Sequence, residues 1–400
     1  MLKGKNVVLG ISGGIAAYKA CELISLLKSA GAGIDCIMTR SATEFITPLT
    51  LGTLTQRPVV TDMFSPPADY EIEHISLAKK ADIVVIAPAT ANVIGKLACG
   101  IADDMLTTTV LATHAPVLVA PAMNTNMYEN PVVQENIRRL KDRGFLFADP
   151  AEGRLACGDS GRGKLAPVED IFCEIMRAIA CQKDLAGKRV LVTAGPTRER
   201  LDPVRFLTNG STGKMGYAIA QAAVYRGADV TLVSGPVSLD PPYGAAVVPV
   251  ESAFEMEREV VSRAKEADII IKSAAVGDFR PVDVSSQKIK KDAGGTVSLT
   301  RTTDILAELG GMGLSAALIG FSMETQDLIQ NSAEKLAKKN VDMIVANDLN
   351  TAGAGFGTDT NVASLLKRDG SVLQLPKMSK YSLAHVILDE AVRIYESKQR

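Results

Sequence analysis

The side chains best placed to do chemistry fall in short polar segments that each follow an apolar run. His74 follows an acidic stretch, residues 69–73, and precedes a run expected to be helical. An imidazole there can act as a base near neutral pH, or be a solvated or helix-capping residue. Asn124 and Met127 lie in the polar segment 121–127, where Asn124 is either a ligand-facing amide or a turn residue. Cys157 sits in the glycine-rich stretch 153–163, close in sequence to Arg154, Arg162 and Lys164. Nearby cations lower a thiol's pKa and a glycine-rich loop can serve as a lid, whereas an inert cysteine is usually a small core hydrophobe. In the second half, Asn209 opens the turn 209–213, Asp278 ends the small-residue run 273–278, and Lys288 heads the basic run 288–291. Thr303, Asp304, Ile305 and Leu306 open a helix, Phe321 closes a strand, and Lys335 and Lys339 share a helix face. Cations, hydroxyls and a helix N-terminus suit phosphate. The bland alternatives are a solvated basic face and an Asp that forms a turn before Pro281.

These residues need a scaffold, and the chain starts one twice. Gly4, Lys5, Asn6, Val7, Val8 and Leu9 parallel Gly187, Lys188, Arg189, Val190, Leu191 and Val192. A β-branched apolar run, a small-residue turn and a helix make an anion-binding unit from backbone N–H groups. In the first half, residues 7–9 are the strand, Ser12, Gly13 and Gly14 the turn, and residues 15–30 the helix. The turn is not GxGxxG, and the chain has no Walker A motif, so a dehydrogenase or P-loop reading loses its main support. A small Ser/Gly turn either holds one phosphate, as of a mononucleotide such as FMN, or serves tight packing. Residues 34–38, 81–87 and 116–120 are further strands. Their carboxyl ends bring Thr39, then Pro88, Ala89, Thr90 and Asn92, then the 121–127 segment to one rim, where open α/β sheets bind ligands. In the second half, residues 189–193, 229–234, 268–272 and 341–347 are strands, residues 215–225 and 254–267 are helices, and 353–357 is a glycine-rich loop. The expected fold class is α/β, with two doubly wound Rossmann-like domains, residues 1–184 and 185–400.

Bulk properties narrow the classes. Four hundred residues suit two domains with full cores. A formal charge of -1 gives no electrostatic case for nucleic acid or an acidic membrane, and 4% aromatic residues without Trp disfavour base stacking. The chain enters a strand directly, with no signal-peptide core before it and no run apolar enough to span a bilayer. Six Cys without CxxC spacing and three His make a protein metal site unexpected, and reduced cytoplasmic thiols are the default.

The first half resembles the flavin-dependent cysteine decarboxylases, and is similar in particular to 4′-phosphopantothenoylcysteine decarboxylase. The resemblance rests on His74, residues 88–92, 100–107, 121–124, Met127, Asn130, Pro131 and 156–159 in this order and spacing. It implies a flavodoxin-like domain with FMN on the rim of Ser12, Gly13, Gly14, Thr39, Pro88, Ala89, Thr90 and Asn92. It further implies that His74 is the base for thiol oxidation, that Asn124 binds the substrate carboxylate with Met127 nearby, and that Cys157 is the proton donor. Direct loss of CO2 would leave an unstabilised carbanion; prior oxidation to a thioaldehyde lets that charge delocalise as an enethiolate.

The second half resembles phosphopantothenate–cysteine ligase over nearly its whole length. That family implies CTP as co-substrate, an acyl-cytidylate, and Mg2+ held mainly through the triphosphate. By the resemblance, Asp278, Lys288, Thr303, Asp304, Ile305, Leu306, Phe321, Lys335 and Lys339 bind CTP, and Asn209, with Arg205, contacts the pantothenate moiety. Thr303 stands where the family commonly has Pro, a change expected to loosen a helix N1 position. Together the resemblances imply a bifunctional, cytoplasmic enzyme of coenzyme A biosynthesis acting on 4′-phosphopantothenate, cysteine and CTP. They also imply a homo-oligomer, with trimer-based decarboxylase and dimeric ligase domains, such as a dodecamer. The rival readings are a nicotinamide oxidoreductase and a non-catalytic flavin-binding regulatory subunit.

Overall fold

In a computed structural model, residues 1–64, 72–154, 160–290, 296–324, 327–348 and 357–399 are described. The chain divides into two units, Met1–Gln182 and Lys183–Arg400. Among the described residues no helix is long and apolar enough to cross a membrane.

The first unit is built on the parallel strands β1 (Asn6–Ile11), β2 (Gly33–Met38), β3 (Val59–Val60), β4 (Ile83–Ala89), β5 (Val117–Pro121) and β6 (Leu146–Phe147). Their order is β3-β2-β1-β4-β5-β6. The doubly wound class expected from sequence is therefore present. Its strand order is that of the dinucleotide-binding sheet rather than the 2-1-3-4-5 of flavodoxin. Nearly continuous apolar runs form β1, β4 and β5 because both faces are covered. One face packs Val8, Ile86 and Val119 against α3 (Glu73–Lys80), α4 (Ala91–Cys99), α5 (Met105–Ala112) and α7 (Pro131–Asp142). Across the sheet lie α1 (Ala20–Ser29), α2 (Pro48–Thr55) and α8 (Val168–Ile179). The stretch expected as one helix over 15–30 starts as a 3-10 segment, Ile15–Lys19, before α1. Short α6 (Thr125–Glu129) follows β5, and a hairpin, β7 (Ala151–Arg154) and β8 (Ser160–Lys164), follows β6.

The second unit repeats the plan. Its strands are β9 (Arg189–Ala194), β12 (Asp229–Ser234), β13 (Ala246–Pro249), β14 (Ile269–Lys272), β17 (Ala317–Glu324), β18 (Met343–Asp348), β20 (Ala363–Lys367) and β21 (Val372–Gln374). They run in the order β13-β12-β9-β14-β17-β18-β20-β21. All pairs are parallel except β18 with β20 and β20 with β21. Three short antiparallel pairs lie outside this sheet: β10 (Arg198–Arg200) with β11 (Phe206–Thr208), β15 (Phe279–Pro281) with β16 (Leu299–Arg301), and β19 (Thr360–Asn361) with β22 (Met378–Ser379). Alternation divides the core. Val190, Val192, Ile271 and Ile319 pack on α9 (Lys214–Tyr225) and α13 (Lys380–Lys398). Leu191, Ile270, Leu318 and Ile344 pack on α10 (Ala253–Ala264), α11 (Ile305–Gly311) and α12 (Leu328–Lys338). Asp184 pairs with the buried Arg226 guanidinium, which ties the residues ahead of β9 to this unit.

Candidate functional site

In the first unit, strand order reverses between β1 and β4, and the turn after each strand is knitted to the other. Ser12, 1% exposed, donates its hydroxyl to the Pro88 carbonyl at 2.7 Å and accepts the Thr90 N–H at 3.0 Å. The Ala87–Pro88 peptide between them is cis. Gly13 lies against Ser41: a Cβ there would stand 2.3 Å from the Ser41 Cβ and 2.8 Å from its carbonyl oxygen. Only a residue without a side chain lets the two turns approach. Thr39 accepts the Ala42 N–H, and Thr90 caps α4 by accepting the Val93 N–H.

These turns bound a cavity of about 770 Å³. Among its lining residues are Ser12, Gly13, Gly14, Thr39, Thr90, Asn92, Asn124 and Met127, all expected from sequence. Pro88 and Ala89 do not line it; they form its support, through the carbonyls that accept from Ser12 and from the Ala122 N–H. Half-buried His74, in the first turn of α3, is not among the lining residues of this single chain. Cys157 lies outside the described residues. The β7–β8 hairpin that flanks it is docked on the Asn124 segment: the Met123 N–H donates to the Gly163 carbonyl at 2.9 Å, and a Cβ on Gly163 would stand 2.5 Å from the Met123 oxygen. Asn124 caps α6 by accepting the Asn126 N–H at 2.9 Å. Size and lining fit a flavin mononucleotide: hydroxyls and a glycine turn suit a phosphate, and neutral amides and Met side chains suit a flat ring.

Sequence alone did not single out Tyr18 or Lys96 among the lining residues. Lys96 bridges Asp103 at 2.7 Å and Asp104 at 2.9 Å, and these carboxylates hold its ammonium above the ordinary lysine range. The pairing is visible as a motif only once α4 and α5 are known to meet.

In the second unit the corresponding reversal lies between β9 and β14. The Ala275 N–H donates to the Gly195 carbonyl at 2.9 Å, and Asn209 donates its amide to the carbonyls of Ala275 and Val276, both at 3.1 Å. The expected turn and the expected strand end are thus one feature. Lys214, unremarked in the sequence, opens α9 and donates to the Gly357 carbonyl and Asp359, both at 2.8 Å. Most of the glycine-rich loop before it, residues 353–356, lies outside the described residues.

Arg205 is committed to a loop: it donates to the Ile289 carbonyl at 2.7 Å. Asp202 accepts from the N–H groups of Val204 and Arg205 at 2.8 Å and of Ile289 at 3.2 Å. Burial pushes its carboxyl up, but these donors outweigh that and hold it below the usual range. Lys288 is exposed beside this anchored carbonyl. A separate group gathers on the α11–α12 face. Lys339 pairs with Asp304 at 2.8 Å, and Lys335 lies 3.4 Å from the Ser322 hydroxyl. Lys272, which ends β14, faces both lysines together with Asp278 and Asp304. Its signal in the sequence was an apolar strand, Ile269, Ile270 and Ile271, that ends in a cation.

Expectations for Thr303, for the end of its helix, for Ile305 and Leu306, and for Phe321 need correction. Thr303 precedes Asp304, which is the N-cap of α11 and accepts the Ala307 N–H at 3.1 Å. Thr303 is therefore outside the helix, and the argument from an N1 proline does not apply. The cap's own carboxylate also occupies the expected anion position at this seven-residue helix. Moreover, Ile305 and Leu306 are core side chains at 1% and 3% exposure, so any ligand contact there is made by their backbone. Phe321 packs on the opposite face of the sheet, against the α9–α13 core. Among the described residues no group of three His, Cys, Asp or Glu is clustered as a metal site.

A family profile described as "Flavoprotein" matches residues 1–180, and one described as "DNA/pantothenate metabolism flavoprotein C-terminal domain" matches residues 185–395. The coenzyme A biosynthesis bifunctional protein CoaBC of Bacillus subtilis (strain 168) is 52% identical over 403 residues, with 100% of this chain and 99% of that protein covered. The protein of the same name from Vibrio cholerae is 48% identical, with 97% and 98% covered, and that from Escherichia coli (strain K12) is 42% identical, with 100% and 99% covered. A solved C-terminal domain of a protein of this name is 44% identical with a TM-score of 0.47, covering 54% of this chain and 100% of its own. An FMN-dependent cysteine decarboxylase, SpaF, is 31% identical with a TM-score of 0.39, covering 43% and 95%. With two α/β units in this order, and full-length relatives at this identity, the chain belongs to the family of bifunctional coenzyme A biosynthesis proteins, a flavoprotein unit followed by a pantothenate-metabolism unit.

Proposed function

We propose that the second unit joins cysteine to 4′-phosphopantothenate using CTP, through an acyl-cytidylate, and that the first unit decarboxylates the resulting 4′-phosphopantothenoylcysteine to 4′-phosphopantetheine with FMN. The bifunctional ligase and decarboxylase assignment follows from the family; the nucleotide, the flavin form and the residue roles are our reading. The observation that carries it is the paired architecture: each unit gathers small and polar turn residues where its own strand order reverses, around a cavity in the first and around Asn209 in the second. In this reading the functional boundary falls between residues 184 and 185, two residues beyond the division at Gln182.

In the first unit, Ser12, Gly13, Gly14, Thr39 and Ser41 would hold the FMN phosphate, and Thr90, Asn92 and the 122–124 backbone would flank its ring. FMN, when bound, would supply a reversible two-electron acceptor for the thiol carbon, so that the charge left by departing CO2 can delocalise onto sulfur, and would return those electrons afterwards. Asn124 binds the substrate carboxylate, His74 takes the thiol proton, and Cys157 returns a proton to the enethiolate carbon. In the second unit, Asn209, fixed by two carbonyls, orients the pantothenate chain, while Arg205 and Asp202 hold the loop that carries Lys288. Lys288 stabilises charge developing during cytidylyl transfer. Asp278, Asp304, Lys335 and Lys339 surround the nucleotide, whose Mg2+ is held mainly by the triphosphate.

A homo-oligomer is part of this reading. Ile15 and Tyr18 line the cavity yet are 60% and 59% exposed, and Phe206, Val284 and Leu299 are exposed on or beside the antiparallel ribbons of the second unit. Trimeric contacts around the first unit and dimeric contacts in the second would cover them, as in a dodecamer. A cytoplasmic location suits these metabolites.

A mass balance tests the whole reading. Purified protein given 4′-phosphopantothenate, cysteine, CTP and Mg2+ should release CMP, pyrophosphate and CO2 and form phosphopantetheine, from a yellow sample. CMP without CO2 would remove the decarboxylase assignment. Cys157→Ser should accumulate the oxidised, decarboxylated enethiol while ligation continues; Lys288→Gln should stop CMP release and spare decarboxylation. Equal loss of both activities in either variant would contradict these roles.

A further inference from the structure

Lys272 stands at the carboxyl end of a central strand, opposite Thr193 of β9 and Gly320 of β17. Alternation places its side chain on the face of Ile270, which packs with Ile305, Leu306 and Leu309 of α11. Part of the residue remains accessible, yet the ammonium is sunk deeply enough that loss of hydration is the largest influence on it. It makes no hydrogen bond or ion pair among the described residues. The charged groups facing it are Lys339 and Lys335 from the end of α12, Asp304 from the cap of α11, and Asp278 from the segment after β14. Asp304 is already committed to Lys339 at 2.8 Å. A poorly solvated ammonium beside two other cations, without a counter-ion of its own, is costly in a folded chain.

We propose that Lys272 is a polyphosphate-binding residue of the second unit, its missing counter-charge supplied by the triphosphate of the nucleotide. The proposal rests on the reading of this unit as nucleotide-binding. It has a thermodynamic signature. Burial first, then repulsion from Lys339, pushes the Lys272 ammonium down to about 8, against the opposing pull of Asp304 and Asp278. An anionic ligand beside it favours the charged form and raises that value again. Above pH 8 the free site is largely neutral and the occupied one charged, so binding takes up a proton and weakens as pH rises. A guanidinium stays protonated throughout this range.

The experiment is calorimetric titration of the full-length protein with CTP and Mg2+, at pH 7 to 9.5, in buffers of different ionisation enthalpy. The unaltered protein should take up close to one proton per nucleotide near pH 9, its affinity falling up to about tenfold per pH unit above 8. Lys272→Met should bind roughly 10- to 100-fold more weakly at pH 7, with no proton uptake and no slope. Lys272→Arg should keep affinity at pH 9 and also lose the uptake. That rescue separates a charge contact from a structural role. Equal affinity and proton uptake in Lys272→Met and the unaltered protein would overturn the proposal and leave the nucleotide reading standing. No CTP binding by the unaltered protein would overturn both.

Discussion

At the scale of single residues, glycine and asparagine do the most specific work. Gly13 lets the first turn touch Ser41, and a methyl group there has no space to enter. Gly13→Ala should weaken flavin retention at least about tenfold and destabilise the first unit by about 1–3 kcal/mol. Absorbance near the flavin band and thermal unfolding read these separately; a fully yellow Gly13→Ala protein would show that the turn is not the phosphate site. Asn209 is a donor to two carbonyls. Asn209→Asp keeps its shape but sets a carboxylate against those oxygens, so ligation should fall more than about a hundredfold with the flavin unit unaffected. Both residues were recognisable in sequence by type. Which atoms they approach was not, because Ser41 and Ala275 arrive from other strands.

At the scale of elements, the second unit's loops are held by charge rather than by a core. Asp202 links the 202–205 turn to Ile289, so the position of Lys288 depends on a carboxylate outside any expected motif. Its folded pKa is depressed, so its stabilising contribution is present above the ordinary value of 3.8 and is lost as pH falls through the lower folded value. Asp202→Asn should remove this acid-side dependence in unfolding curves and raise the KM for 4′-phosphopantothenate more than it lowers CTP affinity. An unchanged KM would disconnect the anchor from the site. The parallel strands were legible as apolar runs, whereas the short ribbons β10–β11 and β15–β16 were not. Each of their strands is three residues long, largely exposed, and carries no periodicity to read.

At the scale of the whole molecule, two cores of similar plan carry two chemistries. Lys272 gives the second a pH dependence of the same sign as Asp202, stability rising with pH, but as a penalty relieved in the alkaline range. Its folded pKa of about 8 lies below the ordinary 10.5, so the penalty of burying its charge is full below pH 8 and disappears as pH rises through 10.5. Lys272→Met should therefore stabilise the second unit at pH 7, by up to about 3 kcal/mol, with the gain vanishing toward pH 10.5. Denaturant unfolding measures it, and a loss of stability at pH 7 would contradict the burial of that charge. Sited function at the expense of stability is common in binding sites.

Sequence by itself determined the class of fold, the repetition of strand, small-residue turn and helix, and the residue types at each strand end. These are local properties, written in apolar runs and turn residues within a few positions of one another. It also carried the family, through motif order along the chain. Tertiary structure alone decided which strand ends meet. Strand order placed Ser12 on Pro88 and Asn209 on Ala275, put Phe321 on the face opposite Leu306, and brought Lys272 among residues tens of positions away. The physical reason is that sheet neighbours are chosen by pairing and layer packing across long loops, which no local pattern encodes.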